Sequence, residues 1–194
     1  QPGAQIVFLN AEATIQGEGS MKAEGTESSP ITFSAPTPSQ GMAGILGLEY
    51  QQITYCHFDK VRVSLHTDSH DSSYFSGQVG LIENCRFIGA QLHSGVGTIS
   101  NNQFQSSSVN IRDVLSFTNN QINDSYVELM VAGTNTGNMY SYINPVQMQN
   151  NYTDPILVKN NQITGGQGLV VKDTNPAAIF TPNNGLSIQI RQNT

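Results

Sequence analysis

The six residues Ile99-Ser100-Asn101-Asn102-Gln103-Phe104 decide the fold, because similar segments recur along the chain. Two near copies are Phe117-Thr118-Asn119-Asn120-Gln121-Ile122 and Val158-Lys159-Asn160-Asn161-Gln162-Ile163. Weaker copies occupy residues 53–58 and 82–87, and a distorted copy occupies residues 181–186. In the five better copies an apolar residue is followed five positions later by another, with a polar pair between them.

This odd spacing predicts a corner between two short strands. Within one strand, residues of the same face lie an even number of positions apart. A spacing of five therefore requires a bend, and it turns the second residue of the polar pair inward. When such corners stack, inward asparagines can bond one another at the strand spacing of about 4.8 Å. The copies thus predict an all-β fold, a single-stranded parallel β-helix with an inward ladder of Asn102, Asn120 and Asn161.

A second set of alternating strands is predicted between the corners, at residues 61–63, 109–112, 127–129 and 169–171. The shortest intervals between copies, 17 and 18 residues, set the minimal coil, and the 41 residues from Phe117 to Val158 predict two coils. The chain then has about eight or nine coils and a length of roughly 40 Å. Residues 36–47, rich in Pro, Ser and Gly, are predicted to form a loop. We expect one β-helix domain over residues 1–194, either whole or a segment of a longer protein.

The beginning of the chain carries a resemblance to a known superfamily. Its residues are Pro2-Gly3-Ala4-Gln5-Ile6-Val7-Phe8, Gly19-Ser20-Met21-Lys22-Ala23-Glu24-Gly25-Thr26 and Pro30-Ile31-Thr32-Phe33. With the Asn-Asn corners, they resemble the right-handed parallel β-helix domains of the pectin-lyase-like superfamily, which are common in secreted and surface bacterial proteins. The resemblance implies a right-handed coil, an extracellular or cell-surface location, and polysaccharide ligands.

The composition argues against several partners. Charged residues make up 11% of the chain, against roughly 25% in an ordinary domain, and the formal net charge is −6 with no run of Lys or Arg. Nucleic-acid binding needs clustered cations, so it is not expected. Membrane insertion is not expected either, because no apolar segment approaches about 20 residues. No cofactor is predicted.

The two cysteines, Cys56 and Cys85, occupy the corner position that Asn102 and Asn120 fill in later copies. Stacked in this way, their Cα atoms would lie about 5 Å apart, which is within the disulfide range. Three interpretations stay open: two buried thiols that pack as small apolar residues, a disulfide between coils, and a metal site.

Two insertions, residues 65–77 and 131–145, precede corner-type segments and are expected to leave the same edge of the solenoid. Loops on a rigid scaffold often carry function. The first insertion contains four weak metal-ligand candidates, His66, Asp68, His70 and Asp71. The aromatic candidates for stacking on a sugar are Tyr74, Phe75, Tyr140 and Tyr142.

Residues that could act in catalysis are scattered along the sequence. Glycoside hydrolysis needs two carboxyl groups across a cleft, and the sequence has no obvious pair. If the chain is an enzyme, the candidates are Arg112, Asp113 and Glu128. The sequence favours a non-catalytic extracellular module that is adhesive, binds glycans or forms a stalk. The alternatives are a polysaccharide lyase or glycoside hydrolase with a diverged site, and a subunit that stacks end to end into a fibre.

Overall fold

The protein is described by a computed structural model over residues 1–17, 21–36, 43–46, 51–65, 80–94, 97–112, 114–131, 156–166, 168–173, 188–191 and 193–194. All regular structure within these residues is β-strand. Numbered in chain order, the strands fall into three parallel sheets of seven strands each, and the chain visits the sheets in strict rotation.

The first sheet, sheet A, follows the Asn corner. Its strands are β1 (Gln5–Val7), β4 (Ile31–Ser34), β7 (Cys56–Asp59), β10 (Arg86–Ile88), β13 (Gln103–Gln105), β16 (Gln121–Asn123) and β19 (Gln162–Thr164). Sheet B consists of β2 (Thr14–Gln16), β5 (Gly44–Leu46), β8 (Arg62–Leu65), β11 (Gln91–Ser94), β14 (Ser108–Arg112), β17 (Tyr126–Val131) and β20 (Gly168–Asp173). Sheet C consists of β3 (Met21–Glu24), β6 (Gln51–Thr54), β9 (Gly80–Glu83), β12 (Gly97–Ser100), β15 (Val114–Thr118), β18 (Ile156–Lys159) and β21 (Ile188–Arg191).

This order of strands confirms the all-β, right-handed parallel β-helix. The described strands form seven coils, so the prediction of eight or nine is wrong. Phe117 on β15 pairs directly with Val158 on β18, and the 41 residues between them therefore close one coil rather than two. Seven stacked strands span about 29 Å at the strand spacing.

One detail of the predicted strand map also changes. Residues 36–47 were expected to be a loop, but they contain β5, whose Ile45 is fully buried and pairs with Ile15 and Val63. A prediction based on composition assigns this strand to a loop because the strand begins with a glycine. Gly44 has φ +156°, and a Cβ there would overlap the carbonyl of Arg62, so the position excludes larger residues.

The two predicted insertions are flanked by strands of the same two sheets, and apart from Leu65 and Val131 their own residues lie outside the described ones. The first insertion lies between β8 and β9, and the second lies between β17 and β18. Both therefore connect sheet B to sheet C.

Five of the described corners between sheets C and A, those that follow β6, β9, β12, β15 and β18, have one outward and one inward residue. The outward residues have φ between 50° and 57°, and they are Tyr55, Asn84, Asn101, Asn119 and Asn160. Asparagine tolerates this left-handed region better than most residues do, which explains why four of the five are Asn. The bend explains the odd spacing of the copies, because residues on both sides of it, such as Ile99 and Phe104, are buried.

Inward asparagines are hydrogen bonded in series through the middle of the solenoid. The Asn102 Nδ2 donates to Asn120 Oδ1 at 3.1 Å, and the Asn120 Nδ2 donates to Asn161 Oδ1 at 3.0 Å. All three side chains are fully buried. The series ends on Asn193, whose Oδ1 accepts from Asn161 Nδ2 at 2.8 Å. Ile190 on β21 pairs with Val158, and the distorted copy predicted at residues 181–186 lies outside the described residues.

The two cysteines occupy the same inward position nearer the start of the chain. The Cys85 backbone N–H donates to Asn102 Oδ1 at 2.9 Å, and the Cys56 N–H donates to the Cys85 sulfur at 3.4 Å. Sulfur thus replaces the amide oxygen as acceptor. Both are buried free thiols, and no disulfide joins them. Burial, together with the neighbouring Cys56 side chain, raises the pKa of Cys85 well above its usual value.

A second corner, between sheets A and B, is held by serines. The Ser107 Oγ accepts from the Ala90 N–H and donates to the Phe87 carbonyl, each at 3.2 Å. The Ser107 N–H in turn donates to Ser125 Oγ at 3.0 Å. Short side chains suffice here because they reach the adjacent carbonyls directly. This second series was not predicted from the sequence.

Stacked aromatic rings fill the core behind sheet A. Phe33, Phe58, Phe87 and Phe104 lie in successive coils, with neighbouring ring centroids 4.9–5.1 Å apart. Each ring is at most 4% exposed. The residues that alternate with the rings along each strand of sheet A, such as His57 and Arg86, point outward.

Candidate functional site

A groove of about 340 Å³ lies on the outside of the corner between sheets C and A. Its lining residues come from three successive corners, from the strands that follow them and from the turn that precedes β4. They are Thr26, Glu27, Pro30, Tyr55, His57, Asn84, Cys85, Arg86, Asn101 and Gln103.

Register places the groove's side chains in two columns. The first column holds the outward corner residues Tyr55, Asn84 and Asn101. The second holds His57, Arg86 and Gln103, which are in-register neighbours on β7, β10 and β13. The groove therefore repeats at the coil spacing of about 4.8 Å.

The turn before β4 contributes the third part of the lining. It is closed by an antiparallel bridge between Thr26 and Ser29, and it presents Glu27 and Pro30 to the groove. Gly25 allows this turn to approach the corner closely, because a Cβ there would collide with the carbonyl of Tyr55.

The charges of the groove are mixed. Arg86 is exposed, and no hydrogen bond or ion pair to another described residue holds its side chain. Partial burial, together with the positive charge of Arg86, lowers the pKa of His57 below its ordinary 6.5. The imidazole is therefore neutral at pH 7 and offers both a donor and an acceptor.

This set of groups is suited to recognising a polyhydroxylated ligand. A phenol ring, a guanidinium and an imidazole present flat surfaces, and the amides of Asn84, Asn101 and Gln103 each offer a donor and an acceptor. Glu27 is the one carboxylate among the described lining residues. The nearby Glu83 accepts from Ser100 Oγ at 2.9 Å and from Asn101 Nδ2 at 3.3 Å, so it braces the corner.

Two residues predicted for the site, Arg112 and Glu128, lie away from the groove, and the other nine lie outside the described residues. The enzyme candidate Glu128 lies in β17 on sheet B, where it is 7% exposed and accepts a hydrogen bond from the Tyr126 hydroxyl. Arg112 is the last residue of β14, also on sheet B. Asp113 lies outside the described residues, as do the metal candidates His66, Asp68, His70 and Asp71. So do the aromatic candidates Tyr74, Phe75, Tyr140 and Tyr142.

The groove was missed, although the repeat carries the signal for it. Aligning the corner copies position by position gives an outward column of Tyr55, Asn84 and Asn101. Two positions later it gives a column of His57, Arg86 and Gln103. The predicted ladder included only the inward residues of these copies, so the outward columns formed no part of the prediction.

No protein-family model, curated protein or solved structure matches the chain. In the part of the chain that the structure describes, no three His, Cys, Asp or Glu residues are grouped to hold a metal ion. A search of the same residues found no helix of the length and hydrophobicity needed to cross a bilayer. The class of the protein is therefore given by its architecture, a right-handed parallel β-helix with a polar groove on one corner.

Proposed function

We propose that the chain is a non-catalytic extracellular module that binds glycans in the corner groove, as a β-helix of the pectin-lyase-like type. The observation that carries the proposal is the groove itself. It brings Tyr55, His57 and Arg86 together with three amides at one rigid corner. Such convergent polar groups beside a ring are what a sugar, with its many hydroxyls and flat apolar faces, requires.

The fixed backbone of the corner supports ligand binding in the groove. The corner backbone is fixed from inside by the buried Asn102 amide, which accepts the Cys85 N–H and donates to the Ile82 carbonyl at 3.0 Å. The backbone that carries the outward side chains therefore needs no reordering when a ligand binds, which favours affinity.

The chemistry of the groove favours binding over catalysis. Hydrolysis of a glycosidic bond needs two carboxyl groups about 5–9 Å apart. Among the described lining residues Glu27 has no such partner, and the Glu83 carboxylate is occupied by Ser100 and Asn101.

The test is a glycan array combined with an assay for reducing ends released from neutral and acidic polysaccharides. We expect binding without release, and we expect Arg86→Ala to abolish the binding. The matched control is Lys159→Ala, which removes a cation from sheet C away from the groove. Release of oligosaccharides would support the diverged enzyme instead, and Glu128 would then be tested. Binding that survives Arg86→Ala would reject the groove.

Self-association end to end is the second candidate, favoured by the first coil. Val7, Leu9 and Ile15 are 57%, 82% and 42% exposed on or beside the edge strands β1 and β2. Unpaired strand edges with exposed apolar side chains favour pairing with another chain. Light scattering over a concentration series tests this role. Growth of long particles supports a fibre, and a constant monomer mass removes it.

A further inference from the structure

The groove continues along the solenoid as a row of outward residues on sheet A. His57, Arg86, Gln103, Gln121 and Gln162 are in-register neighbours on five successive strands. The first three line the groove, and the last two extend its direction over coils six and seven.

Two further rows flank these glutamines. One consists of the outward corner residues Asn101, Asn119 and Asn160, and the other consists of Gln105, Asn123 and Thr164. With Gln103, Gln121 and Gln162 they make three rows over three coils, and we call these nine residues the amide face. All nine are exposed, and none carries a charge.

The hydrogen-bonding groups of the central row are available. No hydrogen bond to another described residue involves the side chains of Gln103, Gln121 or Gln162. In the corner row, Asn160 Nδ2 donates to Asn119 Oδ1 at 3.1 Å. Each glutamine amide offers two donor hydrogens and an acceptor oxygen, which match a hydroxyl group that both donates and accepts.

The geometry points to an extended, uncharged polysaccharide as the ligand. Resting on the proposed function, we infer that the groove and the amide face form one track along the solenoid axis, with about one sugar per coil. In-register stacking repeats the amide face by translation, about 4.8 Å per coil. A β-1,4-linked chain is an extended ribbon that presents hydroxyls at a similar repeat, whereas a coiled polysaccharide would leave the face after a few sugars.

Charge selects a neutral polymer. Among its described residues the track carries two charged side chains, Arg86 and Glu27, both in the groove, and the protein carries a net charge of −6. A polyanion would therefore gain one favourable contact at the groove and lose hydration along the rest of its length without compensation. The five strands from β7 to β19 span about 19 Å, room for four to five sugars.

Calorimetric titration of the intact protein tests the track. The probes are β-1,4-linked oligomers of glucose, mannose and N-acetylglucosamine, each from two to eight sugars long. Affinity for at least one series should rise up to about five sugars and then level off. The double variant Gln121→Ala/Gln162→Ala should weaken binding of the six-sugar oligomer, by about 2- to 10-fold for each residue, and leave the two-sugar oligomer unchanged. The control is Gln16→Ala, an exposed glutamine on sheet B.

The outcomes separate the track from the groove. Binding that is lost in Arg86→Ala but does not depend on oligomer length, or on Gln121 and Gln162, overturns the track and leaves the groove. Binding restricted to uronate-containing or sulfated glycans also overturns the neutral track. If no glycan binds on the array or in titration, the proposed function fails with it.

Discussion

Replacing Asn120 by Ala tests whether the buried asparagines hold the coils together. The Asn120 Oδ1 accepts from the Asn102 N–H at 3.0 Å and from Asn102 Nδ2 at 3.1 Å. Its Nδ2 donates to the Ile99 carbonyl at 3.2 Å as well as to Asn161. The substitution therefore removes the side-chain partner of two buried backbone groups, the Asn102 N–H and the Ile99 carbonyl.

The expected loss follows from these two groups. A buried polar group that loses its partner costs about 1–3 kcal/mol, so the loss of two partners should lower the free energy of unfolding by roughly 2–6 kcal/mol. With a urea m-value of about 3 kcal/mol/M, the midpoint falls by about 1 M. Urea unfolding followed by far-ultraviolet circular dichroism measures this shift, and tyrosine fluorescence provides a second signal because the chain has no Trp.

Two companion variants make the result specific. Asn119→Gly changes the adjacent exposed residue, whose φ of 57° glycine adopts easily, and should change stability by less than about 0.5 kcal/mol. Asn120→Cys should lose less than Asn120→Ala, because Cys85 already acts as acceptor and donor at this position. A loss below about 0.5 kcal/mol in Asn120→Ala would refute the assignment of stability to this series.

Three further predictions concern the core, the groove and the thiols. Phe87→Ala should lower the free energy of unfolding by about 3–5 kcal/mol, because the ring is 1% exposed and lies between two stacked rings. Phe87→Leu should lower it by less than half as much, and urea unfolding measures both variants. Arg86→Gln should raise the pKa of His57 towards 6.5 without reaching it, since burial is the larger cause, and an imidazole titration by NMR that is unchanged would contradict this. Because the folded His57 has the lower pKa, the unfolded state binds more protons just below pH 6.5. Stability should therefore fall as the pH drops through that window, and less so in the variant. Cys85 should react slowly with a thiol reagent at pH 8 in the native protein and rapidly in urea; fast native labelling would contradict the raised pKa.

The repeat made the fold predictable from the sequence because each coil obeys the same local rule. An apolar residue, a left-handed residue and an inward polar residue recur in order, and Asn102, Asn120 and Asn161 each report that order. The number of coils was not predictable in the same way. A 41-residue interval fits either two short coils or one coil with a long insertion, and only the pairing of Phe117 with Val158 distinguishes them.

The candidate site was harder to predict because no single residue type or local motif in the sequence indicates it. His57 and Arg86 are 29 positions apart in the sequence, and they become neighbours only through register between β7 and β10. Glu128 was predicted as a catalytic candidate because it is a carboxylate on a predicted strand, yet it lies on sheet B and accepts a hydrogen bond from Tyr126. A surface made by stacked coils depends on the register between neighbouring strands. The spacing of apolar residues determines this register only when the positions of the insertions are known.

The most direct test of the central claim is a map of the ligand-binding surface by NMR. The isotope-labelled protein is titrated with the glycan that binds most tightly on the array, and the shifts of assigned backbone and side-chain amides are followed. We predict that the largest changes lie at Tyr55, His57, Asn84, Arg86 and Gln103. Changes confined to sheet B around Glu128, or the absence of any change at saturating glycan, would contradict the account.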